Sequence, residues 1–348
     1  MLEAVFAVPG DLEAPTGGYA YDRKLLALLP ESGVRPDYLR LPGTFPHPDA
    51  EDLVTTARLL REARGDVLLV DGLALGAMPA ELLPGRSVPP LVALVHHPLA
   101  CETGLARKRR AELMASEAAA LACATRVVTT SAATARLLAA EFGVPAEKIA
   151  VAEPGTDPAR RARGTGGPVA LLAVGAVSAR KGYEALVRAL AQLPTLDWRL
   201  TVAGSLERDA RAAASLRETI ESSGAAERIT LAGAVGDPEL ERLYDRADVF
   251  VSPSLFEGYG MVLAEAMARG LPLVASSGGA AAETVPDGAG LKVQPGDIAA
   301  LREALRDMIA DRDLRRRCAD ASWSAGQGLP RWGDTAAKVA AALKDAVR

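Results

Sequence analysis

What most constrains this chain is an alternation, kept up along its whole length, of short apolar runs with longer alanine- and leucine-rich amphipathic stretches. Strands that read as nearly continuous apolar runs are buried on both faces, and consecutive parallel strands need a crossover helix between them. The alternation predicts an α/β, doubly wound architecture of parallel sheets with helices on both faces. In the first half the expected strands are Ala4 to Val8, Val67 to Asp71, Leu91 to Val95, Arg126 to Thr130 and Ile149 to Ala152. In the second half they are Val169 to Val174, Arg199 to Ala203, Ile229 to Ala232, Val249 to Ser252, Leu273 to Ala275 and Leu291 to Val293.

At 348 residues the chain is too long for one ordinary core and suits two Rossmann-like domains. Proline and glycine crowd into Glu153-Pro-Gly-Thr-Asp-Pro158 and Gly164-Thr-Gly-Gly-Pro168, a composition that breaks helix and strand alike. The division expected is residues 1–160, residues 161–330 and a terminal segment 331–348, with an amphipathic helix over Trp332 to Val347. Composition then narrows function. The 44 Asp and Glu outnumber the 40 Lys and Arg, for a net charge of −4, whereas a dedicated nucleic-acid binder needs a basic excess. No nucleic-acid partner is expected. Cys101, Cys123 and Cys318 are widely spaced and form no CxxC motif, and Met1 to Pro9 lacks a basic n-region, so the expected setting is the reducing cytoplasm. No run approaches the roughly 18 apolar residues of a spanning helix, so membrane contact is expected to be peripheral at most.

The chemistry is concentrated in Val251-Ser-Pro-Ser-Leu-Phe-Glu257-Gly-Tyr-Gly-Met-Val-Leu-Ala-Glu265-Ala-Met-Ala-Arg-Gly270, which reads as a strand end, a glycine loop and a helix start. Gly258 and Gly260 let the backbone approach a ligand, and the N–H groups of the helix start suit phosphate oxygens. Glu257 precedes the glycines, and Glu265, read as about two turns into the helix, offers a second carboxylate to the hydroxyls of a bound sugar or ribose. A second candidate is Val174-Gly-Ala-Val-Ser-Ala-Arg180-Lys181-Gly182, where a forked and a point cation meet at a strand-to-helix turn and can face a diphosphate.

These two motifs resemble those of the retaining GT-B glycosyltransferases of family four, the glycosyl transferases group 1, whose hallmark is two glutamates flanking an E-G-[FY]-G core. The resemblance implies two Rossmann-like domains facing across a cleft, and a hexosyltransferase-type activity that draws on a nucleotide-sugar donor, UDP by family frequency. It implies that Glu257 contacts the donor sugar, that Gly258, Tyr259, Gly260 and Met261 hold sugar and diphosphate by their backbone, that Glu265 binds the ribose, and that Arg180 and Lys181 stabilise the departing diphosphate. The first domain would bind the acceptor, which the resemblance leaves unnamed, the second the donor, and the terminal helix would return to the first. Gly278-Gly-Ala-Ala-Ala-Glu283 also fits the family pattern.

In the first domain Thr16-Gly17-Gly18-Tyr19 opens a helix after the first strand, where the family has a Gly-Gly loop, so Gly17 and Gly18 are donor-binding candidates. His96 and His97 follow the strand Leu91 to Val95. The resemblance places one histidine here near the donor sugar, and alignment favours His96 while the doublet keeps His97 open. No cofactor and no metal are expected. The Asp-x-Asp pair Asp311-Arg-Asp313 falls in a charged stretch, Ile298 to Ala319, read as one surface helix. A nicotinamide-dependent oxidoreductase is disfavoured because Gly258-Tyr-Gly260 lacks the third glycine of its loop. Two alternatives keep the fold: a non-catalytic nucleotide-sugar-binding protein, and an enzyme that glycosylates a lipid at a membrane surface, for which Arg107-Lys-Arg-Arg110 supplies the charge.

Overall fold

The computed structural model describes residues 1–84 and 89–348. The chain divides into two compact units, Met1–Gly155 with Pro330–Arg348 (unit 1) and Thr156–Leu329 (unit 2). Unit 1 begins with β1 (Leu2–Pro9), α1 (Gly17–Leu28), β2 (Val34–Leu41), α2 (Ala50–Glu62), β3 (Val67–Asp71), α3 (Gly72–Leu75), β4 (Leu91–Val95), α4 (Arg107–Ala122), β5 (Arg126–Thr129), α5 (Ala132–Glu141) and β6 (Ile149–Val151). Unit 2 contains β7 (Val169–Val174), α6 (Tyr183–Ala191), β8 (Trp198–Ala203), α7 (Ala210–Ser222), β9 (Ile229–Gly233), α8 (Asp237–Arg246), β10 (Val249–Ser252), α9 (Met261–Ala268), β11 (Leu273–Ser276), α10 (Ala281–Thr284), β12 (Gly290–Val293), α11 (Ile298–Ala310) and α12 (Arg312–Gln327). The last helix, α13 (Trp332–Val347), belongs to unit 1.

Each unit holds a six-stranded sheet, ordered β2-β1-β3-β4-β5-β6 in unit 1 and β12-β11-β10-β7-β8-β9 in unit 2. All ladder pairs are parallel. The architecture is the doubly wound α/β class read from the alternation. β3 and β4 are buried at every position, as strands covered on both faces must be. Unit 2 packs Trp198, Leu186 and Leu190 on one side of its sheet. Phe250, Tyr244 and Met267 form a separate core cluster.

In both units the order of strands reverses once, and the loops at the carboxyl ends on either side of that reversal open a crevice. In unit 1 the reversal lies between β1 and β3, so the loop after β1, Asp71 and the loop after β4 converge. In unit 2 it lies between β7 and β10, which brings the segment around Arg180 and Lys181 beside the segment around Glu257.

Two local features differ from the sequence reading. β2 is absent from the strands expected; its Pro36 lacks the N–H a ladder needs, and the strand stands at the sheet edge, where that loss is tolerated, with Pro36 opposite Ala4. The stretch Ile298 to Ala319 is two helices rather than one. Asp311 ends α11 and its carboxylate caps α12, accepting from the N–H groups of Asp313 and Leu314 at 2.9 Å each.

Candidate functional site

In unit 2 the backbone after β10 is stitched to two glycine-bearing segments. Arg180 and Lys181 occupy a short 3₁₀ turn, Ala179–Lys181, closed by Gly182 at φ 67°. A Cβ at Gly182 would run into the carbonyl of Pro253, so the position requires glycine on both counts. Leu255 N–H donates to the Arg180 carbonyl at 2.8 Å, and the Arg180 guanidinium donates to the Phe256 carbonyl at 2.7 Å. On the other flank Glu257 forms a parallel bridge with Gly279; its N–H donates to Gly278 O at 3.2 Å, and Ala280 N–H donates to Glu257 O at 2.8 Å. Added Cβ atoms at Gly278 and Gly279 would overlap the carbonyls of Leu255 and Glu257.

This scaffold fixes Glu257, which is 6% exposed. Lys181 Nζ donates to its Oε1 at 2.7 Å, and Arg180 lies 3.5 Å from its Oε2. Burial alone would push this carboxyl up; the charges of Lys181 and Arg180, with hydrogen bonds from Lys181 and Ser254, outweigh it and hold the group at about 2. Lys181 and Arg180 thus both face the one Glu257 carboxylate. The Lys181 stem runs past Gly175, where a Cβ would stand 3.0 Å from Lys181 Cε, and Tyr183 OH donates to the Gly175 carbonyl at 3.1 Å.

α9 starts at Met261, directly after Gly260 at φ 91°, and no side chain caps it. Glu265 is thus the fifth residue of the helix, one turn in rather than two. It is half-buried, accepts from Tyr244 OH at 2.9 Å, and burial raises its pKa against that bond and the charge of Arg269. Arg269 in turn lies 4.4 Å above the Tyr244 ring. The loop Gly258–Tyr259 is tied to the next crossover by Thr284 Oγ1, which donates to Tyr259 O at 2.6 Å. Unit 2 therefore brings Arg180, Lys181, Glu257, Gly258, Tyr259, Gly260, Met261 and Glu265 to the carboxyl ends of β7 and β10.

Unit 1 gathers Gly17, Gly18 and His96. Gly17 opens α1 behind the cap Thr16, whose Oγ1 accepts from Tyr19 N–H at 3.2 Å. A Cβ at Gly18 would meet His96 Cδ2 at 3.3 Å, so the glycine admits the imidazole close to the helix start. His96 Nε2 lies 3.2 Å from Asp22 Oδ1 and 3.4 Å from Asp71 Oδ2, and the Tyr21 ring meets the imidazole edge-on with centroids 5.2 Å apart. Asp22 is fully buried and its Oδ2 has no hydrogen-bond partner among the described residues. His97 stands apart, with Nε2 3.4 Å from Glu102 Oε2.

The sequence reading missed Asp22 and Asp71. Asp22 reads as an ordinary helix residue, and only a charge ending the apolar run Val67 to Asp71 hinted at the second. Among the described residues these three side chains are the one group of His, Cys, Asp and Glu whose ligand-type atoms all lie within 4.8 Å of one another. A ring proton between two carboxylates accounts for that spacing. Asp311 of the Asp-x-Asp pair is engaged as a helix cap.

Residues 157–323 match the family model described as Glycosyl transferases group 1, and residues 15–160 the one described as Glycosyltransferase Family 4. The chain is 31% identical over 291 residues to the MMP alpha-(1->4)-mannosyltransferase of Mycolicibacterium hassiacum, a match that takes in 78% of this chain and 69% of that one. It is 32% identical over 244 residues to the D-inositol 3-phosphate glycosyltransferase of Paenarthrobacter aurescens, covering 64% of this chain but only 58% of that protein's length. In fold it is similar to sucrose-phosphate synthase from Thermosynechococcus elongatus, with a TM-score of 0.82 at 22% identity over 99% of both chains. By these matches, carried on two doubly wound units of GT-B type, the chain belongs to the group 1 glycosyl transferases of glycosyltransferase family 4.

Proposed function

We propose that the protein is a retaining glycosyltransferase that moves a sugar from a nucleoside-diphosphate sugar, with UDP as the nucleotide, to an acceptor hydroxyl without a metal. The observation that carries this reading is the buried Glu257 carboxylate held ionised by Lys181 and Arg180 beside the glycine loop and the uncapped start of α9. An ionised carboxylate accepts hydrogen bonds from sugar hydroxyls. The cations Lys181 and Arg180 and the first N–H groups of the helix suit the adjoining diphosphate. Glu265, one turn on, is assigned to the ribose hydroxyls, and His96 of unit 1 to a hydrogen bond with the donor sugar.

In this scheme the glycosidic C–O bond to the diphosphate breaks as the acceptor oxygen attacks from the same face and gives up its hydroxyl proton to the departing phosphate oxygen, which retains the anomeric configuration. Negative charge builds on the leaving phosphate oxygen. Arg180 and Lys181 meet it with fixed charge in a site where little solvent reorganisation is needed, the kind of stabilisation that gives the largest single catalytic effect in many enzymes. Glu257 is committed to its two cations and to sugar hydroxyls, so it is not assigned as a nucleophile.

Calorimetric titration with nucleoside diphosphates and a panel of UDP- and GDP-sugars, with and without EDTA, tests the reading. Binding of one nucleotide sugar that EDTA does not weaken supports it; no binding by any member, or binding abolished by EDTA, overturns it. Binding without turnover across an acceptor panel would leave the non-catalytic alternative. A second reading, transfer to a lipid at a membrane surface, is favoured by one observation. Arg107, Lys108, Arg109 and Arg110 are all exposed in the first turn of α4, where cations oppose the helix dipole, although Arg109 pairs with Glu112 at 3.4 Å. Flotation with anionic and neutral vesicles separates it from a free acceptor.

A further inference from the structure

The cluster around His96 contains more charge than a hydrogen bond to a sugar requires. Two carboxylates, one on α1 and one at the end of β3, converge on a single ring nitrogen, Nε2, at 3.2 and 3.4 Å. Neither is free to leave. Asp22 is fully buried, and Asp71, 2% exposed, has its Oδ1 engaged by Leu73 N–H at 2.7 Å. The ring is also held from its other sides, by the Tyr21 edge and by the close passage of Gly18. Tyr21 is itself anchored through its OH to the Ala152 carbonyl at 2.9 Å. Asp22 Oδ2 is a buried acceptor unsatisfied among the described residues, which is costly.

We propose that Asp22 and Asp71 are positioning residues that grip His96 by its Nε2–H and present Nδ1–H of an imidazolium as the donor that meets the substrate. The proposal rests on the assignment of His96 to the donor sugar. Asp22 Oδ1 is hydrogen-bonded to Nε2 at 3.2 Å and Asp71 Oδ2 faces the same nitrogen at 3.4 Å, which favours this ring orientation over its flip, and Nδ1 has no partner among the described residues. A ring between two anions keeps its second proton. Burial alone would lower the pKa of His96, but the charge and hydrogen bonds of Asp22, then those of Asp71, reverse this and raise it to about 10. The charged groups acting on the cluster are Asp22, with Arg23 on the same helix, and Asp71 from β3, while burial keeps the Tyr21 phenol neutral. A fixed cation is a stronger and more directional donor to a sugar oxygen than a neutral imidazole, whose single proton would be the one bound to the carboxylates.

The test uses the full chain and two readouts. There are three histidines, His47, His96 and His97, so the His47→Gln and His97→Gln variants assign the ring signals by NMR. The His96 ring is expected to keep its imidazolium signature through neutral pH into the alkaline range, unchanged by EDTA. Asp22→Asn and Asp71→Asn should each bring its midpoint down by about two pH units or more. In transfer assays with a binding nucleotide sugar, both variants are expected to lose at least about tenfold in kcat, with donor KM moved less than about threefold. Activity should return as pH is lowered through the new midpoint, because acid recharges the ring. A merely structural role would lower stability without moving either the midpoint or the pH profile, so folded variants, checked by circular dichroism, with an unmoved midpoint and profile overturn the proposal. So does a wild-type His96 that titrates near its ordinary value, or one that responds to EDTA. Asp71→Asn keeps the oxygen that caps α3 and serves where Asp22→Asn does not fold. If wild-type protein transfers no sugar while the ring titrates as expected, it is the donor assignment that has failed and not the grip on the ring.

Discussion

At the residue scale the critical bond is Lys181 to Glu257. Both groups are largely buried, with side-chain exposures of 13% and 8%, and breaking a buried pair by removing one partner costs far more than the pair itself contributes. Lys181→Ala leaves Glu257 with Arg180 at 3.5 Å as its main counter-charge, and is expected to lower stability by ~3–5 kcal/mol and turnover by ~10²–10³-fold. The pH dependence follows from the sign of the shift. A carboxyl held at about 2, against 4.5 ordinarily, contributes stability that is complete above 4.5 and is lost as pH falls through 2. Without Lys181 that contribution shrinks and the acid limb moves to higher pH. Acid titrations of wild type and variant followed by circular dichroism check this; coincident limbs, or near-normal turnover, would remove Lys181 from the cluster's function.

At the element scale, glycines that admit neighbouring backbone separate from glycines that merely occupy a turn. Gly278→Ala drives a methyl into the Leu255 carbonyl and is expected to cost ~2–4 kcal/mol. Gly333→Ala, in the first turn of α13 with open space around it, is expected to stabilise by ~0.4–1 kcal/mol. Urea unfolding of the two variants compares them directly. Another element-level device is Glu117 on α4, which accepts from the N–H groups of Leu99 and Ala100 at 2.7 and 2.9 Å and so holds the turn after His96 and His97. Burial raises this carboxyl to about 7 despite those two bonds. The native state then keeps a proton that the unfolded chain releases near 4.5, so stability falls as pH rises between the two values, by about 3 kcal/mol. Glu117→Gln is expected to lack that slope, and urea midpoints at pH 5 and 7.5 measure it. Legibility from sequence follows the same division by element. Buried strands and the Glu257 loop were readable because apolar runs and glycine spacing are local. β2 was hidden by Pro36, and the Asp22–Asp71–His96 cluster because three separate segments meet only through the order β1-β3-β4.

At the scale of the whole molecule the chain leaves unit 1 at Gly155 and returns to it at Pro330, so unit 1 is complete only after the last helix is made. Val339 and Leu343 are fully buried, Trp332 stacks edge-on against Tyr21 with centroids 5.7 Å apart, and Thr335 donates to the Glu153 carbonyl at 2.7 Å. Fully burying one such aliphatic side chain contributes ~1.5–3 kcal/mol, and a domain's whole stability is only ~5–15 kcal/mol. Ending the chain at Leu329 is therefore expected to unfold unit 1 or leave it loosely packed, with the core of unit 2 untouched. Hydrogen exchange should show lost protection in β1 through β6 and retained protection in β7 through β12. The functional consequence is sharper, because Arg180, Lys181, Glu265 and the backbone from Gly258 to Met261, proposed to hold the diphosphate and ribose, lie in unit 2, with only the candidates Gly17 and Gly18 in unit 1. The truncated chain is expected to bind the nucleoside diphosphate with an affinity within about tenfold of wild type while transferring no sugar, since the His96 cluster stands in the unit that has lost its helix. Adding a peptide of residues 330–348 should restore protection and transfer together. Loss of nucleotide binding on truncation would mean that unit 2 does not hold the donor by its own residues, and would send the search for the phosphate site back to Gly17 and Gly18.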